Sequence, residues 1–264
     1  LYPPLAAIFG TFGILGARFL SVIFGTVSVY LLYEFAKNLK LSHNEKTNET
    51  IGLIASLLLG ILSIPLYLSR LAIYDIPSFT FFLGGLVLLQ KALLLKQPLV
   101  WQRENRFFFS SVLFLLSFLT KYTTFIFLPF ILLWALYTSR KLGKVAVKHY
   151  LQYFAGILIA GTILYFGWHF DALLHFFREQ VGAAENQSIQ ILIQFARYSI
   201  PTLLFALLSV FFLFLQKKRS LPLMLLLGAS IIPVVHVATN NIKAVDQQTI
   251  LSLIFLLPLS AYFF

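Results

Sequence analysis

Between two long apolar runs, residues 69–77 bring together Arg70, Tyr74, Asp75 and Pro77, and Asp75 is the only acid between Glu49 and Glu104. A carboxylate there can act as a general base or hold a divalent metal, and a neighbouring guanidinium can orient it or grip a phosphate through paired N–H donors. The plainer alternative is a solvated turn in which Arg70 and Asp75 pair while Pro77 opens the following helix. Arg18 stands at the start of the first long apolar run, and Lys121 with Tyr122 divides two shorter ones. Cations at such ends snorkel toward lipid headgroups, or, where several converge on one face, capture an anionic group.

A second concentration of polar chemistry spans residues 168–189, with Trp168, His169, Asp171, His175, Arg178, Glu179 and Glu185. On a helix, His175 and Glu179 are i,i+4 neighbours and Asp171 lies one turn before His175. That spacing suits a divalent metal. It equally suits the polar face of a solvated amphipathic helix. His236, Asn240, Asn241, Lys243 and Asp246 form a weaker cluster near the end of the chain.

The elements that must carry these residues are legible from composition. Hydrophobic residues make up 59% of the 264 residues and charged ones only 11%, against about 25% charge in ordinary soluble domains, which excludes a soluble fold. Apolar runs recur at residues 17–36, 51–68, 77–95, 107–120, 122–138, 150–167, 190–215, 221–238 and 248–264. Most approach the roughly 20 residues needed to cross the hydrocarbon layer, and none shows the strict alternation of a membrane β-barrel. The expected fold is therefore an all-α polytopic transmembrane bundle with about nine spanning helices. Residues 5–15, after Pro3 and Pro4, are too short to span and read as an interfacial or re-entrant helix. No repeat or linker divides the chain, so residues 1–264 read as one membrane domain.

The net charge of +11 raises the question of nucleic acid, but the basic residues collect in short connectors rather than along a stripe. Of the 20 Lys and Arg, fourteen fall on one set of alternate connectors and six on the other. By the positive-inside rule the sparser set, including residues 70–77, 121, 168–189 and 239–247, faces outward. Arg18, Arg70, Asp75 and Lys121 then share the outer face of a multi-pass protein. With no cysteine, disulfides and thiolate metal sites are excluded.

The order of these elements resembles a known family. Leu1-Tyr2-Pro3-Pro4-Leu5, Leu15-Gly16-Ala17-Arg18-Phe19-Leu20-Ser21, Ser69-Arg70 through Tyr74-Asp75, and Leu119-Thr120-Lys121-Tyr122-Thr123 are similar to the dolichyl-phosphate-mannose protein mannosyltransferases. These GT-C enzymes have the aminoarabinose transferases of lipid A among their relatives. The resemblance covers most of the chain and is clearest through about residue 138. It implies a membrane glycosyltransferase of inverting type, moving a hexose or pentose from a polyprenyl-phosphate donor to a protein, lipid or glycan acceptor. Transfer would occur on the outer face, here of a prokaryotic plasma membrane.

By the same resemblance, Asp75 matches a second-loop acid, Arg18 the arginine opening the next span and Lys121 the lysine of a later hairpin. Arg18, Arg70 and Lys121, with the adjoining Tyr74 and Tyr122, become candidates for binding the phosphate. His175, Glu179 and Lys243 are candidate contributors from outer loops, and residues 168–189 a cover for the site. Tyr2 stands where many members carry His or Glu, so a metal contribution from that position is in doubt. The family's leading acidic motif falls before Leu1, so the chain reads as the body of a longer enzyme whose first helix and first outer loop lie upstream. A transporter or flippase, or a non-catalytic scaffold, is the rival reading. Against the transporter, no internal repeat is visible and the charges gather at one face rather than at the midplane.

Overall fold

The structure is a computed structural model and describes residues 11, 13–62, 65, 67–68, 74–94, 100–171, 174–175, 187–242 and 244–264. Among them the chain is helical, without strands. In chain order the helices are α1 (Gly13–Asn38), α2 (Glu45–Ile61), α3 (Asp75–Leu94), α4 (Val100–Thr120), α5 (Leu128–Leu142), α6 (Lys144–Trp168), α7 (Ser188–Leu215), α8 (Ser220–Ala238) and α9 (Val245–Phe263). A 3₁₀ segment, Tyr122–Phe127, leads into α5, and Tyr150–Ala155 within α6 is a π-helix. Among the described residues each of the nine expected spans overlaps a helix, and six helical stretches are long and apolar enough to cross a bilayer. The protein is an integral membrane protein.

Several boundaries differ from expectation, α2 beginning at Glu45 and α6 at Lys144 among them. Helix α1 begins at Gly13, so residues 13–15 belong to it rather than to a separate interfacial helix, while residues 5–10 and 12 of that stretch lie outside the described residues. Helix α4 begins at Val100, so Arg103, Glu104 and Arg106 are helical instead of lying in a connector. Two of these charges meet partners: Glu104 Oε1 is 3.1 Å from His149 Nδ1, and Arg106 Nη1 donates to the Lys91 carbonyl at 3.1 Å.

The chain divides into two compact units, Leu1–Ile159 and Ala160–Phe264. In the first, α3 is the central helix, buried along nearly its whole length and packed against α1, α4 and α5. Paired contacts give the directions. Ser28 and Phe24 of α1 meet Thr80 and Phe81 of α3 while Glu34 meets Lys91, so α1 and α3 run parallel. Ser78 meets Ser117, Ser110 meets Gly85 and Arg106 meets Lys91, so α3 and α4 run antiparallel. Small residues let these two helices close up: a Cβ on Gly84 or Gly85 would lie 3.1 Å from Leu113 or Phe114, as expected where bilayer helices associate by close packing. Edge-to-face rings then lock the centre, Phe82 lying 5.4 Å from Phe114 and 5.2 Å from Phe127, with Phe114 6.0 Å from Phe154.

Gly143, at φ 106°, turns the chain between α5 and α6 in a conformation that suits glycine alone. Gly52 likewise has no room for a side chain, because a Cβ there would sit 2.9 Å from both the carbonyl oxygen and a ring carbon of Tyr33. Gly52→Val is expected to cost about 1–3 kcal/mol by overpacking α1 against α2. Gly60→Ala, whose Cβ meets only Val29 at 4.0 Å, should be near neutral, and thermal unfolding in detergent compares the two.

In the second unit α9 is central, buried along most of its length between α7 and α8. Buried hydroxyls tie it to both neighbours: Ser260 Oγ donates to the Thr202 carbonyl at 2.6 Å and Ser252 Oγ to the Ala229 carbonyl at 2.7 Å.

Candidate functional site

Asp75 lies in the first turn of α3, and Lys121 is the first residue after α4. Pro77 in that first turn removes an N–H that would have no intrahelical partner anyway, so the helix can start there without loss. Because α3 and α4 are antiparallel, the start of one adjoins the end of the other. The Lys121 ammonium accordingly forms an ion pair with Asp75 Oδ1. Both helix dipoles favour the arrangement, an acid at an N-terminus and a base at a C-terminus. The side chains are only 6% and 10% exposed, so each charge depends on the other. The Tyr74 ring lies beside the pair, its centroid 5.8 Å from Lys121 Nζ.

Arg70, the neighbour that a solvated turn would pair with Asp75, lies outside the described residues. Among the described residues the carboxylate meets Lys121, 46 positions along the chain. Tyr122, partly exposed, follows Lys121 and opens the 3₁₀ segment. Arg18 occupies the same end of the unit. The contacts of Phe24 and Ser28 with Thr80 set it roughly 5 Å, about one helical turn, farther out than Asp75, and its side chain is exposed there.

The other end of this unit carries further ion pairs, Lys37 with Glu49 at 2.7 Å, Lys91 with Glu34 at 2.5 Å, and Glu104 with His149. From Asp75 to Lys91 along α3 is about 24 Å at the helical rise, against about 30 Å of hydrocarbon. With the opposite charge layer at one membrane boundary, Asp75 and Lys121 lie just inside the other, far from the midplane. That depth suits chemistry on a lipid headgroup.

Sequence reasoning passed over three hydroxyls one turn beneath the pair. Ser78, Ser117 and Thr124 are fully buried and bonded to one another, Ser117 Oγ lying 3.2 Å from Ser78 Oγ and 3.1 Å from Thr124 Oγ1. Their signal was present: Ser78 is three residues after Asp75 and Ser117 four before Lys121, each on the same helical face as its charge.

The residues described around Asp75 do not fit a divalent cation, since the carboxylate is already matched by an ammonium. No three His, Cys, Asp or Glu side chains cluster closely enough among the described residues to hold one. In the second unit His175 is helical and exposed, while Glu179 and Lys243 lie outside the described residues. The last polar cluster braces a turn. His236 Nδ1 is 2.5 Å from the Asn241 carbonyl, its Nε2 is 3.1 Å from Gln248 Oε1, and the Gln187 N–H donates to Asn240 Oδ1 at 2.8 Å.

The sequence profile of the family described as dolichyl-phosphate-mannose-protein mannosyltransferase matches residues 4–166, more than half of the chain. The chain belongs to this family. No curated protein and no solved structure matches it. As a member of the mannosyltransferase family it is a membrane glycosyltransferase in the general sense. The matched stretch contains Arg18, Arg70, Tyr74, Asp75, Lys121 and Tyr122, whereas His175, Glu179 and Lys243 fall beyond it.

Proposed function

We propose that this chain transfers a sugar from a polyprenyl-phosphate donor to a protein, lipid or glycan acceptor at the outer face of a prokaryotic plasma membrane. The observation that carries the reading is the buried pair of Asp75 and Lys121 where the start of α3 adjoins the end of α4, inside the stretch that matches the family. In the reaction, the bond between the anomeric carbon and the phosphate oxygen breaks and a bond from that carbon to the acceptor oxygen forms on the opposite face, inverting configuration. The leaving polyprenyl phosphate departs as an anion, so nearby positive charge assists it more than a proton donor does.

Lys121 exchanges the Asp75 carboxylate for the donor phosphate, and Arg18 and Arg70 add charge around it. Tyr74 and Tyr122 flank the headgroup. Asp75, released from its partner, accepts the proton of the acceptor hydroxyl. The apolar helices accommodate the prenyl tail.

The discriminating measurement uses the full-length protein in vesicles with a labelled polyprenyl-phosphate sugar. Release of free polyprenyl phosphate with the label covalently attached to an acceptor is expected. Movement of the intact donor across the bilayer without bond cleavage would instead identify a flippase.

A further inference from the structure

We propose that Ser117, together with Ser78 and Thr124, is a positioning group that fixes the backbone of Lys121 so that its ammonium can alternate between Asp75 and a donor phosphate. The inference rests on the reading of Lys121 as the donor-phosphate group. Lys121 occupies an extended conformation, φ −145° and ψ 105°, between the end of α4 and the 3₁₀ segment. A single extended residue between two helical segments has two peptide planes to be held: the first by the last backbone bond of α4, the second by Thr124. Its N–H donates to the Ser117 carbonyl at 2.9 Å. Its carbonyl accepts from Thr124 twice, from the N–H at 3.1 Å and from the hydroxyl at 2.8 Å.

The hydroxyls continue into α3. Ser117 Oγ lies 2.9 Å from the Ser78 carbonyl and 3.1 Å from Thr124 Oγ1, while Ser78 Oγ lies 3.0 Å from the Ser117 carbonyl. Each hydroxyl has one proton: Thr124 gives its own to the Lys121 carbonyl and Ser78 its own to the Ser117 carbonyl, so the Ser117 proton serves either the Ser78 carbonyl or Thr124 Oγ1, one at a time, and Ser117 is the junction between the helix pair and the turn. Holding α3 against α4 needs less than this. Two turns deeper in the same interface Ser110 makes one bond across it, to the Gly85 carbonyl at 2.8 Å. What distinguishes the upper set is its extension through Thr124 to the backbone that carries the lysine.

The register gives the same result. Ser78 with Ser117 and Asp75 with Lys121 are successive rungs of one antiparallel ladder, so a slip at the serines would carry the ammonium away from the carboxylate. With the Lys121 backbone fixed, exchange of partners requires rotation of its side chain alone. The cost of ordering that residue is met in the fold and not at donor binding.

The test compares Ser117→Ala and Thr124→Val with Thr124→Ser, which keeps the hydroxyl, and with Ser110→Ala, which removes the deeper interhelical bond. The full-length protein is treated with acetic anhydride and acetylation of Lys121 is followed by peptide mass spectrometry, alongside kcat and KM for the polyprenyl-phosphate donor. Loss of one such hydrogen bond is expected to raise both the Lys121 labelling rate and the donor KM about fivefold in Ser117→Ala and Thr124→Val. In those variants kcat should change little, and Thr124→Ser and Ser110→Ala should behave as wild type. Unchanged labelling in Thr124→Val, or an equal rise in Ser110→Ala, would overturn the positioning role. Raised labelling with an unchanged donor KM would support the positioning role and overturn the donor-phosphate reading of Lys121.

Discussion

Asp75→Asn in the full-length protein is expected to lower sugar transfer by about a hundredfold or more, the scale of losing a positioned proton acceptor. Asparagine keeps the shape and an oxygen for the Lys121 ammonium, but it has no negative charge and cannot take a proton at neutral pH. The loss should therefore appear mainly in kcat, with donor KM changed less. Transfer within about threefold of wild type would remove Asp75 from the reaction and leave it as a clamp between α3 and α4.

The clamp itself should be measurable, and it separates the two roles. Lys121→Met leaves a buried carboxylate, 6% exposed, without its partner, and is expected to cost about 3 kcal/mol of stability in detergent. Combining it with Asp75→Asn removes both charges. The double variant should then be more stable than the sum of the single losses predicts, by about 1–3 kcal/mol. Unfolding by heat or denaturing detergent gives the cycle. Strict additivity would show that the ion pair contributes no coupling. Catalysis should not recover in the double variant even where stability does, because the proton acceptor and the phosphate-binding cation are both gone. Recovery of transfer along with stability would assign the pair a structural role only.

Family membership and the depth of the pair make these variants informative in combination. A charged pair about 24 Å along α3 from the opposite charge layer lies near the headgroup region, where substrates bearing a phosphate reside. Such a pair at mid-bilayer would have pointed to an ion pathway instead.

The spans were legible because each is a long, predominantly apolar run with few charges, and a helix that must bury its backbone in lipid leaves that composition behind. The charged start of α4 was not legible, since Arg103, Glu104 and Arg106 look like a connector until His149 and the Lys91 carbonyl are seen to receive two of them. Likewise Asp75 and Lys121 were each visible as polar residues at the ends of apolar runs, but their pairing was not. Local reasoning offered Asp75 the nearby Arg70. Ser78, Ser117 and Thr124 passed as ordinary small residues of membrane helices, because a hydroxyl reveals its bond only when the facing helix is known.

By itself, then, the sequence determined a multi-pass helical membrane protein, the ends at which its polar residues stand, and the motifs that link it to its family. Hydrophobic length and charge placement are local properties that the bilayer reads directly. The tertiary structure alone decided that Asp75 meets Lys121 and that three buried hydroxyls hold the turn beneath them. Both depend on the antiparallel register of α3 and α4, set by close packing at Gly84 and Gly85 and by buried rings contributed from distant parts of the chain.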